Sequence, residues 1–311
     1  MDTIDRFIRY LEAELNLSPN TVAAYARDLR QWESFATGDG AREFRPDDVT
    51  ASDLRTWLAA ERRTECSART LRRKTQSLRA FYRYLMTTEG LKSNPAADID
   101  TARLPRPLPV FVRQSETGAM LDAMERDAAD TDDFTSVRNA LMVEMLYQTG
   151  MRSQELIDLE DDAVDTAASR MRVMGKRRKE RIIPFGPRLA AMIDDYRARR
   201  ARATGVSATD AFFVRPDGRP LYRRLVWSVV HTAMADAGVH ASRMSPHVLR
   251  HSCATDMLNA GADLNSVREL LGHASLATTQ VYTHLTYRDL LNNYQHAHPR
   301  AQSRKETNHG S

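Results

Sequence analysis

Apolar positions recur at three- and four-residue steps through most of the first ninety residues, the period of helices that bury one face. Val22, Tyr25, Ala26, Leu29, Trp32 and Phe35 form such a stripe over Thr21 to Phe35. Ser18 and Pro19 supply its N-cap and first helical residue. Thr50 with Asp53 three residues on has the form of a capping box and opens Leu54 to Ala60. Ser67 opens a longer helix whose buried stripe is Leu71, Leu78, Phe81, Tyr82 and Leu85, and Gly90 stops it. With Ile4 to Leu15 this predicts a bundle of about four helices over residues 1–92.

The pattern then breaks. Four of the twelve prolines fall between Pro95 and Pro109, around Leu104-Pro105-Arg106-Pro107-Leu108-Pro109. That stretch cannot continue a helix and predicts an extended linker over 93–110. Residues 111–297 read as a second, mixed domain. Val137 to Gln148 is helical and ends at Gly150. Arg170 to Val173 and Arg181 to Phe185 are short strands joined by the basic turn Gly175-Lys176-Arg177-Arg178-Lys179. Helices follow at Pro187 to Ala203, Tyr222 to Ala237, Pro246 to Ala260 and Leu264 to Leu271, then one through Tyr282 and one over Tyr287 to Gln295. Residues 298–311 are expected to be a polar, disordered tail. The expected fold class is mainly α with a small antiparallel sheet in the C-terminal domain.

Composition narrows the class. The 311 residues are 42% hydrophobic and 28% charged, with mean hydropathy −0.53, as in a soluble globular protein. No apolar run approaches the roughly 18 residues of a membrane span, and the N-terminus lacks a secretory pattern, so a cytoplasmic protein without membrane insertion is expected. Cys66 and Cys253 are the only cysteines, too few for a disulfide scaffold or a cysteine zinc site. Net charge is only +4, but it is unevenly spread. Eight basic residues (Arg62, Arg63, Arg69, Arg72, Arg73, Lys74, Arg79, Arg83) face Glu65 alone between 62 and 83, which suits a polyanionic partner.

Several residues could carry chemistry, though each alone is an ordinary surface or core residue. In Ser245-Pro246-His247-Val248-Leu249-Arg250-His251, a three-residue step at a helix start puts His247 and Arg250 on one face, ready for an anion. Arg152 follows Thr149-Gly150-Met151, where a glycine turn can aim it into a cleft. Leu271-Gly272-His273 sets an imidazole on a tight loop, and Tyr282 follows nine residues on. A phenol becomes a useful nucleophile only where positive charge stabilises its anion. Lys176, in the basic turn, is either a phosphate contact or a proton donor.

Together and in this order, Arg152, Lys176, His247, Arg250, His273 and Tyr282 resemble the catalytic set of the tyrosine recombinases. The local wording is similar too: Thr-Gly-Met-Arg with Glu155, Gly-Lys before Lys-Glu-Arg, His-Val-Leu-Arg-His, Leu-Gly-His and Tyr-Thr-His-Leu. The resemblance runs from Ser18-Pro19-Asn20-Thr21 to His298-Pro299-Arg300-Ala301. It is similar in layout to the Xer recombinases, since the chain opens directly on the helical domain and no arm-binding domain is expected. Two basic residues, Arg177 and Arg178, stand where Xer proteins usually carry small uncharged ones, which leaves Lys179 as a second candidate for the acid.

The resemblance implies a two-domain C-shaped clamp on double-stranded DNA, a 3′-phosphotyrosine on Tyr282, and no metal or other cofactor. Arg152 and Arg250 would hold the phosphate oxygens, His273 would donate a further bond, His247 would assist proton removal, and Lys176 would protonate the leaving 5′-oxygen. Arg69, Arg72, Arg73, Lys74, Arg79, Arg177, Arg178 and Lys179 would bind DNA. The implied partners are a homo-tetramer, or a hetero-tetramer with a second recombinase, and a septal DNA translocase. The implied role is resolution of chromosome dimers before division. The alternatives are a minimal mobile-element integrase, a type IB topoisomerase and a catalytically silent DNA-binding protein.

Overall fold

Side-chain caps decide where the N-terminal helices begin. The computed structural model describes residues 2–15, 17–64, 66–100, 111–131, 133–175, 179–205, 209–239, 241, 243–272, 294 and 296–300. Helices α1 (Thr3–Ala13), α2 (Pro19–Thr37), α3 (Ala51–Arg63) and α4 (Ala68–Thr88) follow Asp2, Ser18, Thr50 and Ser67. Each of these side chains accepts a bond from a first-turn N–H. The box at Thr50 is complete: its N–H donates to Asp53 Oδ2 at 2.9 Å, and the Asp53 N–H returns a bond to Thr50 Oγ1.

The four stripes close on one core in which Phe7, Leu29, Trp32, Leu54, Trp57 and Phe81 are buried. Segment 94–99, read from sequence as linker, belongs to this core as well. Ala96 and Ile99 are buried, and Arg79 of α4 donates to their carbonyls at 3.1 and 2.7 Å. Asn94 Nδ2 returns a bond to the Arg79 carbonyl. The chain divides into compact units at Met1–Pro107 and Leu108–Ser311. The proline run of 104–109 lies outside the described residues.

The second unit is built around a helix that has no solvent face. Helix α6 (Phe134–Thr149) is buried at every position from Ala140 to Thr149, packed by α5 (Gln114–Thr131), α8 (Pro187–Thr204), α9 (Arg223–Asp236) and α10 (Pro246–Asn259). A short α7 (Ser153–Ile157) precedes a three-stranded antiparallel sheet, β1 (Val164–Asp165), β2 (Arg170–Met174) and β3 (Glu180–Pro184). Met171 pairs with Ile183 and Val173 with Arg181. Helix α11 (Leu264–Leu271) packs on α10 and β3. The sequence pattern gave no sign of α5, α7 or β1. The fold class is as the sequence predicts, mainly helical with one small antiparallel sheet.

The expected disorder from residue 298 needs correction. Tyr294, Ala297 and His298 are buried in the second unit, and Tyr294 Oη donates to Gln148 Oε1 at 2.9 Å. Arg300 donates to Glu144 Oε1 at 2.5 Å and Asp122 Oδ1 at 2.9 Å. A polar triplet is held because its cation finds two carboxylates, one of them buried on α6. The expected helices through Tyr282 and over 287–295, and residues 301–311, fall largely or wholly outside the described residues. Among the described helices none is long and apolar enough to cross a membrane.

Candidate active site

Gly150 ends α6 in the left-handed conformation, φ 58°, and a Cβ there would collide with Leu271 Cδ2. Glycine therefore serves both the turn and the close approach of α11. Two residues on, Arg152 caps α7. Its N–H donates to Glu155 Oε2 at 2.8 Å and its Nη1 to Oε1 at 2.7 Å, while Nη2 reaches the Gly272 carbonyl at 3.2 Å.

Arg250 arrives from α10. Only 7% exposed, it donates to the Gly150 carbonyl and, at 2.5 Å, to that of Leu271. Burial and the positive charge of Arg152 push its guanidinium down to about 10, which still leaves it cationic at neutral pH. His247 stands one turn earlier on α10, open to solvent on one side while its ring is partly buried against the cluster. Burial of the ring, then the charges of Arg250, His251 and Arg152, hold it below the usual histidine range. Its neutral form can thus accept a proton near neutral pH.

Arg181 of β3 completes the cluster and was not picked out from sequence. Its Nη1 and Nη2 clamp the two oxygens of Glu155 at 3.0 and 2.8 Å, and its Nε donates to the Leu270 carbonyl at 2.9 Å. The alternation of β3 held the signal, since Arg181 shares the face of buried Ile183. Glu155 is itself buried. Its two arginine partners hold its carboxyl below the ordinary range despite burial.

Three consecutive carbonyls at the end of α11, those of Leu270, Leu271 and Gly272, thus receive Arg181, Arg250 and Arg152. The C-terminal end of a helix favours cations. Two of the three guanidiniums share Glu155 and the third has only carbonyl partners, so the cluster carries surplus positive charge suited to an anion. Lys176, His273 and Tyr282 lie outside the described residues, as do Arg177 and Arg178. The residues next to them are placed: Gly175 at the end of β2, its N–H bonded to the Lys179 carbonyl, and Gly272 at the end of α11. Among the described residues no group of three His, Cys, Asp or Glu side chains could hold a metal ion.

The expected DNA contacts on α4 divide. Arg69 and Arg72 are exposed, as is Lys179 in the second unit. Arg73, however, pairs with buried Asp28 at 2.5 Å. Lys74, 4% exposed, pairs with Glu61 at 2.9 Å, donates to Gln31 Oε1 at 2.6 Å and lies over the Trp57 ring. Arg79 is spent on the carbonyls of Ala96 and Ile99. A continuous basic run on a helix turns about 100° per residue, so part of it faces inward. A second basic surface went unnoticed in the sequence: α9 exposes Arg223, Arg224 and Trp227, with Tyr222 before them. Arg223 donates to Gln154 Oε1 at 2.9 Å, two residues from Arg152.

Comparison with known proteins follows this division of the chain. The model of the phage integrase family matches residues 111–289, and that of the phage integrase N-terminal SAM-like domain matches 4–89. A tyrosine recombinase XerC of Pelobacter propionicus is 37% identical over 307 residues, 97% of either chain. One of Mycobacterium tuberculosis is 39% identical over 300 residues, 96% of this chain and 99% of that one. Among solved structures, XerH bound to a palindromic difH substrate superposes with TM-score 0.67 at 21% identity, covering 94% of this chain and 83% of that one. The Tn1549 transposon integrase with circular intermediate DNA gives 0.66 at 18%, covering 93% and 97%.

Proposed function

Because the chain belongs to the phage integrase family, the tyrosine recombinases, and is of Xer type, we propose that it resolves chromosome dimers by recombining a specific site before division. Tyr282 is the nucleophile in this reading. Its oxygen attacks a backbone phosphorus and the 5′-oxygen leaves, giving a 3′-phosphotyrosine; a 5′-hydroxyl of the partner strand reverses the step. The phosphodiester energy is kept in the covalent link.

The observation that carries the reading is the convergence of Arg152 and Arg250 on the carbonyls of Gly272 and Leu271, directly before His273. Each guanidinium has five N–H donors and uses only some on these carbonyls and Glu155. The remainder can meet the non-bridging oxygens as charge develops on them. His273 adds a donor, neutral His247 assists removal of the Tyr282 proton, and Lys176, or Lys179 in its place, protonates the leaving oxygen. In water these charges would be worth little; next to a half-buried cluster they matter more.

DNA contact falls to Arg69 and Arg72 of α4, to Arg177, Arg178 and Lys179 of the hairpin, and to the exposed face of α9. Arg73, Lys74 and Arg79 contribute indirectly, by holding α4 in place. The working assembly is a tetramer on DNA, of this chain alone or with a second recombinase, in the cytoplasm and under the control of a septal DNA translocase.

A nicked suicide duplex bearing the site tests the chemistry. The unsubstituted chain should trap as a covalent protein–DNA adduct on a denaturing gel. Tyr282→Phe should bind the same duplex and trap nothing; equal trapping by both would remove Tyr282 from the role.

A further inference from the structure

Four of the six catalytic candidates sit on separate segments: Arg152 before α7, Lys176 on the hairpin, Arg250 on α10 and His273 after α11. One side chain touches or adjoins each segment. Arg181 clamps both oxygens of Glu155, the carboxylate that holds Arg152 by main chain and side chain. Its Nε bonds to the Leu270 carbonyl, next to the Leu271 carbonyl that receives Arg250. A Cβ on Gly272, the residue before His273, would stand 3.2 Å from Arg181 Cδ and Nη1. A Cβ on Gly175, the residue before Lys176, would stand 3.5 Å from its Nη1. Gly272 therefore leaves room for this side chain, and Gly175 lies in ordinary contact with it.

We propose that Arg181 is the positioning residue of the catalytic pocket, fixing at once the Arg152 turn, the base of the Lys176 hairpin and the turn that launches His273. This rests on the recombinase reading above. Its side chain is 12% exposed and its donors are directed at protein oxygens. It acts on the reacting phosphate through its neighbours. Lysine cannot replace it, because a point charge does not span two carboxylate oxygens and a carbonyl together.

The test uses the full-length chain and a nicked duplex carrying the site that this chain enriches from a random-sequence library. Displacing several catalytic groups by an ångström costs on the order of a hundredfold in rate. Arg181→Gln should therefore lose about a hundredfold in covalent adduct formation at saturating DNA, with Kd for the duplex held within about threefold. Arg181→Lys keeps the charge and carries the test should the Gln variant fail to fold; it should lose about tenfold with the same Kd. Glu155→Gln should be slow as well, and the double variant no slower than the slower single, within about threefold, because the two act as one unit. Cleavage by Arg181→Gln at the unsubstituted rate would overturn the inference while leaving the recombinase reading intact. So would a parallel loss of rate and DNA affinity, or full additivity in the double variant. Absence of adduct with the unsubstituted chain would overturn both.

Discussion

Two arginine-rich places in this chain look alike in sequence and differ in what their charge is for. On α4, Arg73 and Lys74 are each matched to a carboxylate, Asp28 and Glu61, and Arg79 is tied to carbonyls. At the end of α11, Arg152 and Arg181 share Glu155, and Arg152, Arg181 and Arg250 each donate to one of three consecutive main-chain carbonyls. On α4 the charges of Arg73 and Lys74 are cancelled within the fold; at the end of α11 three cations stand with one carboxylate and leave a surplus. Basic residues mark a polyanion site only where the protein has not already neutralised them.

That contrast can be broken at several points. The largest effect is expected at Arg250. In the proposed reaction Arg250→Ala removes a donor to the transition-state charge, and such a loss costs on the order of a hundredfold to a thousandfold in rate. Single-turnover cleavage of the suicide duplex reads it, with duplex binding largely kept. On α4 the corresponding change should act on stability. Glu61→Ala strands the ammonium of Lys74, 4% exposed, and should cost about 2 kcal/mol in denaturant unfolding. Cleavage by the folded fraction should hardly change.

A pH effect of similar size belongs to His298. Burial holds its imidazole down to about 3, so the folded chain keeps it neutral where the unfolded chain takes up a proton. Its contribution is complete above about 6.5 and is lost as pH falls through that value toward 3. Between pH 6.5 and 5 this amounts to about 2 kcal/mol. Unfolding curves at the two pH values should show it, and His298→Asn should flatten the dependence.

The smallest effects are expected at Arg69 and Arg72. Each to Ala should weaken duplex binding about equally across sequences and lower the slope of log K against log salt by about 1. Stability should move by less than about 0.5 kcal/mol. A stability loss there without a change in slope would place these two with Arg73 instead.

Much of the fold was legible wherever local chemistry acts alone. Ser18, Thr50 with Asp53, and Ser67 announced their helices, and Leu264 to Leu271 was read with both its ends. Helix α5 escaped because its inward positions include Thr117 and Ala128, which make no apolar stripe. Strand β1 escaped because two residues become a strand only through pairing with Arg170 and Met171. In the site, Arg152, His247 and Arg250 stood out by wording. Arg181 did not, since its part depends on β3 register and on where α11 ends. Lys74 misled for the converse reason: no count of charges along a helix says which of them points at Glu61.

In the proposed reaction a phenol and two guanidiniums meet at one phosphate. Proteolysis and mass spectrometry of the trapped adduct measure it most directly. The account predicts DNA linked through a 3′-phosphate to the peptide containing Tyr282. A link to any other residue, or to a 5′-phosphate, would contradict it.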